Sequence, residues 1–369
     1  MDRQEMTGPV RVAHIIGTLP GGGVKNVTFN YYRQIDKDRF QFDFYYDSQQ
    51  EVELPQEIID MGARFYRIPN HKHVLKCLGE LRKHFRENRY QIVHSGMNSL
   101  SFVSLYAAKK ENVKVRIVHN HSVPGGSETL KNLIKNILRS LSVRYANARF
   151  ACSYKAADWM YGSHEGVYIM RNAVDFDRFQ KPDPKLVEEI RKRYDLKDRF
   201  VVGTIGRLTF AKNHRFLIEI FKKLKEKRKD AVLLIVGDGE MKEEIKGYVA
   251  DSGLADSIIM TGNVDKTELY YHVMNVTVNP SVFEGLSLVT IESQISGTPV
   301  VISENIPEEA VLCDKGLKKL SLNDTPETWA NSILELEDKK VLLNEKAQEY
   351  RIEKETADLE KQYDLLLNR

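Results

Sequence analysis

Cysteine is scarce in this chain: three in 369 residues, at Cys77, Cys152 and Cys313, far apart and in no metal-ligand spacing. Their odd number and separation exclude a disulfide framework and fit buried thiols in a reducing compartment. No apolar run approaches the roughly 18 residues needed to span a bilayer, which excludes a transmembrane helix. The opening "MDRQEMTGPVRVAHII" sets Asp2 and Glu5 where a signal peptide needs a basic leader, and its apolar run is short. The expectation is a cytoplasmic protein. There is no internal repeat and no low-complexity segment. Neither half has G-x-G-x-x-G followed at the right distance by an acid, which disfavours a Rossmann dehydrogenase.

What is present is the composition of a soluble globular protein, 42% apolar and 29% charged. A chain of 369 residues is too long for one ordinary core, so two domains are expected. The net charge of +3 is unevenly divided. Residues 1–170 hold 24 Lys+Arg against 16 Asp+Glu, and the remainder holds 31 against 36. A basic half joined to an acidic half points to an anionic partner for the first half, or to plain drift of a solvated surface.

Short apolar runs alternate with amphipathic stretches, twice over. "VRVAHIIGTL", "FQFDFYY", "ARFYRIP", "QIVHS" and "VRIVHNHS" read as strands, with helices over 24–35, 73–87, 98–109 and 128–144. After a linker containing Pro182 and Pro184, "RFVVGTIGRL", "AVLLIVGDG", "SIIMTGNV", "NVTVNPS" and "TPVVIS" repeat the pattern, with helices near 213–228, 240–251, 266–274 and 287–296. Strands without clean polar alternation, spaced by helices, indicate parallel sheets covered on both faces. The expected fold is α/β: two Rossmann-like, doubly wound domains facing a cleft. From about 337 the sequence is charged and reads as helix to the end, closing the structure. The expected divisions are 1–172, a linker and first helix over 173–198, a second domain over 199–345, and the closing helix over 346–369.

In doubly wound folds ligands sit at the carboxyl ends of strands, so the following loops carry the chemistry. "GTLPGGGVKN" puts Gly21, Gly22 and Gly23 between strand and helix, where bare backbone can approach a phosphate or sugar, or simply turn. "VHNHS" places His119 and His121 at a strand end. "GRLTFAKN" sets Arg207 and Lys212 after a buried strand, and "GDGEM" is a strand-to-helix turn with Glu240 at the helix start, which capping alone also explains.

The segment "FEGLSLVTIESQISGTPVV" carries Glu284 before a helix starting at Ser287, and Glu292 two turns inside it. Eight residues separate the acids by about 12 Å. A glycosidase pair needs roughly 5–9.5 Å, so acid and base on one bond is a poor fit. Gripping two ends of a longer ligand is a better one, with exposed N–H groups at Gly285–Leu288 holding an anion between. A nucleotide diphosphate sugar has that shape. Carboxylates suit hydroxyl donors, which gives Glu284 the sugar and Glu292 the ribose. Arg207 and Lys212 then supply cations for the diphosphate.

At these residues the chain resembles the retaining family-4 glycosyltransferases of GT-B fold, most closely those of bacterial capsule and exopolysaccharide synthesis. The resemblance runs through "GGGVKN", "VHNHS", "ACSYKAADWMYG", "IMRNAVDFDRF", "VGTIGRLTFAKN", "VGDGE", "MTGNV" and the two-glutamate segment. It implies that Arg207 and Lys212 bind the donor diphosphate. Glu284 and the backbone of Gly285, Leu286, Ser287 and Leu288 would hold sugar and phosphate, and Glu292 the ribose. Gly206 and Gly237 would border the donor, with Val264 in a loop beside the base. Gly22 and Gly23 match a glycine pair approaching the donor, and His121 a histidine near the anomeric carbon. Lys25 departs from the pattern, standing where many relatives have an acid, and Asn172-Ala173 stands where Asn-Gly is commoner.

The same resemblance implies transfer of a hexose from a nucleotide sugar, expected to be a UDP-sugar, to a glycan or lipid-linked acceptor. No carboxylate nucleophile is evident, and front-face substitution is the family expectation, with the protein neutralising the departing charge. No cofactor, metal or nucleic acid is expected. "DKD" (Asp36, Asp38) and "DFD" (Asp175, Asp177) match D-x-D by letter, but one follows a helix and the other lies in the linker. A GT-B epimerase and a non-catalytic nucleotide-sugar binding or assembly protein remain as alternatives. Finally, "ETLKNLIKNILRSLSVR" as a helix puts Leu130, Leu133, Ile134, Ile137, Leu138 and Leu141 on one face, flanked by Lys131, Lys135 and Arg139. This suggests peripheral docking of the N-terminal domain on the inner face of an anionic membrane, or a helix packed on its own sheet.

Overall fold

The apolar runs become strands of two parallel sheets in a computed structural model. It describes residues 8–19, 23–48, 51–70, 73–121 and 129–369, with the side chains of 129–135 outside that description. One compact unit comprises the chain through Val174 together with Tyr350–Arg369, and the other is Asp175–Glu349.

In the first unit the strands are β1 (Val10–Gly17), β2 (Phe40–Tyr46), β3 (Arg64–Arg67), β4 (Ile92–Ser95), β5 (Val115–Asn120), β6 (Ala148–Ala151) and β7 (Tyr168–Ile169). Among the described residues they pair in the order β3-β2-β1-β4-β5-β6-β7, all parallel. The order reverses between β1 and β4, which is where open α/β sheets bind ligands. Strand residues such as Phe42, Phe44, Val93, Ile117 and Val118 are fully buried, because helices cover both faces and leave no polar side. The last helix, Ile352–Leu367, belongs to this unit. The Tyr31 hydroxyl lies 3.3 Å from the buried Glu355 carboxylate of that helix, and Arg171 pairs with the same carboxylate at 3.4 Å.

In the second unit β8 (Phe200–Ile205), β9 (Ala231–Val236), β10 (Ile258–Gly262), β11 (Val276–Asn279) and β12 (Val300–Ser303) are followed by β13 (Cys313–Lys315), β14 (Leu317–Leu320) and β15 (Leu342–Leu343). The main sheet runs β10-β9-β8-β11-β12-β14, again all parallel, with its reversal between β8 and β11. The helix His214–Lys227 buries Leu217, Ile218, Phe221 and Leu224, the apolar stripe that its three-and-four spacing dictates.

The tail differs from expectation. A continuous helix from about 337 is replaced by β15, which pairs antiparallel with β13, and by a 3-10 turn over Glu345–Tyr350. The α-helix begins only at Ile352. Close backbone approach explains the interruption: Gly316 sits at φ +91°, and a Cβ there would lie 2.9 Å from the Cα of Val341. Likewise the helix expected from Glu240 starts at Lys242, because the Met241 N–H is held by the Leu208 carbonyl at 3.1 Å.

Candidate active site

The second unit's reversal point separates two loops, 206–213 after β8 and 280–287 after β11, and both carry expected site residues. Gly206 and Gly237 are there for a backbone reason. Their φ angles are +150° and +134°, and a Cβ on Gly237 would meet the Gly206 carbonyl oxygen at 2.0 Å. The Gly206 N–H donates to Val236 O, Leu208 N–H to Asp238 O and Gly237 N–H to Gly262 O. These bonds stitch the ends of β8, β9 and β10 into a rigid floor, and only glycine permits the approach. Val264 lies half-buried just beyond β10.

On that floor Lys212 occupies a 3-10 turn (Phe210–Lys212), and its Nζ lies 2.5 Å from Glu284 Oε1 with both side chains mostly buried. The Ser281 hydroxyl donates to the same oxygen at 3.0 Å, and the Val282 N–H donates to Ala211 O at 2.8 Å, clamping one loop to the other. Arg207 is not in this cluster. Its Nε stands 3.4 Å from Glu240 Oε2, with both side chains more than half exposed. An exposed pair of that kind is worth at most about 1 kcal/mol and yields readily to a stronger anion.

Glu284 is followed by the helix Leu288–Ile295, with Ser287 as its N-cap residue. The Ser287 side chain does not cap the helix. Its Oγ instead accepts from Thr290 Oγ1 at 3.0 Å, Thr290 accepts from Asn279 Nδ2 at 3.3 Å, and Asn279 Oδ1 accepts from Thr204 at 3.3 Å. This buried polar chain ties the helix start to β8 and β11, and no side chain among the described residues caps the first turn. Uncapped first-turn N–H groups favour an anion. Leu286 and Ser287 are buried, while Gly285 and Leu288 are half-buried.

Glu292 accepts a hydrogen bond from the buried Tyr271 hydroxyl at 2.7 Å. Burial pushes its carboxyl up to about 7, opposed by that hydrogen bond and by Arg178 and Lys212, and reinforced by Glu268. Lys212 therefore acts on both acids, bonded to one and lowering the other. The sequence missed Tyr271, Ser281 and the Thr204–Asn279 pair. For Thr204 and Asn279, polar residues inside otherwise apolar strands were the available signal, since a buried polar group needs a partner; Tyr271, on the short helix Thr267–Tyr271, and Ser281, in the loop after β11, offered none.

In the first unit Gly22 lies outside the described residues, and Gly23 begins the helix Gly23–Gln34. His119 is buried, its Nδ1 lying 3.0 Å from His94 Nε2. His121 is half-buried just past β5, and its backbone N–H donates to Asn98 Oδ1 at 2.7 Å. Although its edge reaches the surface, burial pushes its imidazole down to about 4. Asp36 and Asp175 both serve local turns. Asp36 accepts from the Asp38 N–H, and Asp175 caps the helix Phe176–Gln180 by accepting from Arg178 N–H. On the helix Thr129–Tyr145, the side chains of Lys131 and Lys135 lie outside the described residues. Arg139 is engaged locally, donating to the Trp159 carbonyl and standing over its ring at 5.8 Å. No helix among the described residues is long and apolar enough to cross a membrane.

Two doubly wound parallel sheets, each with loops gathered at its reversal point, are the halves of a GT-B glycosyltransferase. The structure of Alr3699/HepE from Anabaena in complex with UDP and glucose superimposes with a TM-score of 0.78 over 96% of this chain and 99% of that one, at 15% identity. The family model for glycosyltransferase family 4 matches residues 21–178, and that for glycosyl transferases group 1 matches 199–339. EpsF of Bacillus subtilis (strain 168), a glycosyltransferase by name, is 29% identical over 88% of this chain and 86% of its own length. The UDP-Gal:alpha-D-GlcNAc-diphosphoundecaprenol alpha-1,3-galactosyltransferase of Escherichia coli is 25% identical over 90% and 89%. The chain joins a glycosyltransferase family 4 domain to a glycosyl transferases group 1 domain, and it is a glycosyltransferase of GT-B type.

Proposed function

We propose that this glycosyltransferase moves a hexose from a UDP-sugar to a glycan or lipid-linked acceptor in polysaccharide biosynthesis, with retention and without a metal. The observation that carries the reading is the part-buried Lys212–Glu284 pair beside an uncapped helix start and the Tyr271–Glu292 pair. These groups suit the successive parts of a nucleotide diphosphate sugar. The ribose hydroxyls donate to Glu292, the diphosphate takes the first-turn N–H groups with Lys212 and Arg207, and the hexose hydroxyls donate to Glu284. Gly206 and Gly237 form the floor, and Val264 stands beside the base. As the glycosidic bond breaks, negative charge grows on the leaving diphosphate, and fixed cations and N–H groups stabilise that state more than the ground state.

The likeness to an enzyme named for UDP-Gal and a diphosphoundecaprenol-linked acceptor supports the donor and acceptor classes. The first unit is assigned the acceptor, with Gly22, Gly23 and His121 serving the transferred sugar, and peripheral membrane contact is proposed for its helix Thr129–Tyr145. The test is to incubate the enzyme with a panel of UDP-hexoses and short lipid-linked acceptors and to read the anomeric configuration of the product by NMR. An α-linked product from an α-linked donor is expected. Inversion, or turnover only with a donor that is not a UDP-sugar, contradicts the proposal.

A further inference from the structure

Three imidazoles and one phenol that the proposed chemistry has not used form a buried column in the first unit, and it ends against the half-buried His121. His14 on β1 is in register with His94 on β4, which is in register with Ile117 on β5. His119, two residues further along β5, faces the same side of the sheet. Ring centroids step from His14 to His94 at 4.7 Å, to His119 at 5.1 Å and to His121 at 3.8 Å. Tyr363, from the last helix, inserts its hydroxyl 2.9 Å from His94 Nδ1 and 3.3 Å from His14 Nε2. The rings do not gather around a common point. No group of three or more His, Cys, Asp or Glu among the described residues is placed to hold a metal ion.

Burial keeps these imidazoles neutral, pushing His14 down to about 3 and His94 and His119 well below the usual value. A neutral imidazole has one N–H, so every bond in the column has a direction. Hydroxyl donors make shorter bonds than N–H donors. Both contacts admit either direction, set by the tautomers; the shorter, at 2.9 Å, suits Tyr363 O–H donating to His94 Nδ1, with His14 Nε2–H donating to Tyr363 at 3.3 Å. His94 must then carry its proton on Nε2 and donate it to His119 Nδ1, 3.0 Å away. That leaves His119 protonated on Nε2, an atom with no partner among the described residues. His119 borders a small cavity also lined by His14, His94, Gly96, Thr28 and His121.

We propose that Tyr363 and His94 are positioning residues for the transfer reaction. They lock His119 as its Nε2–H tautomer, and the locked ring holds the imidazole of His121 against it. The proposal rests on the assignment of His121 to the transferred sugar. The Asn98 bond fixes the His121 backbone, and the column fixes its ring from below. A helix residue 242 positions away in sequence thereby sets the geometry of a reacting-site histidine.

The experiment uses the full chain and compares wild type, Tyr363→Phe, His94→Leu, His94→Gln and His121→Ala, each checked for folding by its melting curve. Imidazole ¹⁵N spectra of the wild type should give His119 a pyridine-type Nδ1 and a pyrrole-type Nε2, and Tyr363→Phe should mix the two tautomers. With a UDP-hexose donor, Tyr363→Phe should lose about tenfold in turnover, as misorientation of a supported group does, while donor affinity stays unchanged. His94→Gln, which retains an N–H donor toward His119, should keep more activity than His94→Leu. A wild-type His119 protonated on Nδ1 overturns the proposal, as does full turnover in Tyr363→Phe when His121→Ala is inactive. If His121→Ala is itself fully active, the assignment of His121 falls instead, and the ¹⁵N spectra still decide the tautomer.

Discussion

Raising the pH from 6 to 8 should tighten donor binding, and Glu292 is the reason. Its carboxyl, pushed up to about 7 by burial, is mostly protonated at the lower pH and mostly ionised at the higher. Both ribose hydroxyls can donate to a carboxylate, whereas a protonated acid must spend one oxygen as a donor. If the ionised form binds, the ionised fraction and hence the affinity rise about tenfold across the window. The linked effect on folding runs the other way. A folded value raised above the ordinary 4.5 stabilises the protein at low pH, and that contribution is lost as pH rises through about 7. The loss amounts to at most about 3 kcal/mol by pH 8, less whatever solvent screens at the partly exposed edge. Glu292→Gln keeps an oxygen for Tyr271 and removes the charge. It should unfold at higher denaturant than wild type at pH 8, and bind donor with no pH slope. Calorimetric titration of a UDP-hexose is the assay, since its doubly esterified diphosphate has no ionisation in this range. His121 and His214, both pushed down to about 4 by burial, stay neutral throughout. A flat wild-type profile, or an equal slope in Glu292→Gln, would refute the reasoning.

Lys212→Ala and Arg207→Ala should each lower turnover by about 10²–10³-fold, as other lost transition-state donors do, and activity should survive EDTA; loss restored by Mg²⁺ or Mn²⁺ contradicts this. Glu284→Gln should mainly lower kcat and Glu292→Ala mainly weaken donor affinity, as separate kcat and Kd measurements will tell; equal effects on affinity with turnover spared would reverse the assignment. The neutral buried histidines His14, His94 and His119 contribute stability that is present above the ordinary imidazole value and lost as pH falls below it. Urea unfolding should therefore show a marked drop from pH 7 to 5, with an unchanged midpoint as the contrary result. Vesicle co-sedimentation should be strongest with anionic lipid at low salt and weakened by Lys131/Lys135→Glu; indifference to anionic lipid removes the membrane contact.

Strands such as "AVLLIV" were legible as apolar runs, with helices between them as amphipathic stretches, whereas β6, β7, β13, β14 and β15, none longer than four residues, went unread. Sheet order was not legible, since nothing local tells β8 to pair with β11 rather than with β10. The same limit hid the partners of the site. Glu284 and Lys212 lie 72 residues apart and Tyr271 and Glu292 lie 21 apart, so their pairing exists only once the loops converge. His119 was visible beside His121, but its burial and its link through His94 to Tyr363 required β4, β5 and the last helix to be placed. The error at the tail came from charge-rich composition outweighing "VLL". That short apolar run pairs as a strand because β13 and Gly316 lie against it.

The central claim is that the β8–β11 reversal point holds a nucleotide sugar by its three parts. A crystal structure with a UDP-hexose bound tests it most directly. The account predicts ribose hydroxyls on Glu292, diphosphate oxygens at the Leu288 helix start within reach of Lys212 and Arg207, and hexose hydroxyls on Glu284. A nucleotide bound elsewhere, or one that leaves the Lys212–Glu284 pair untouched, would contradict it.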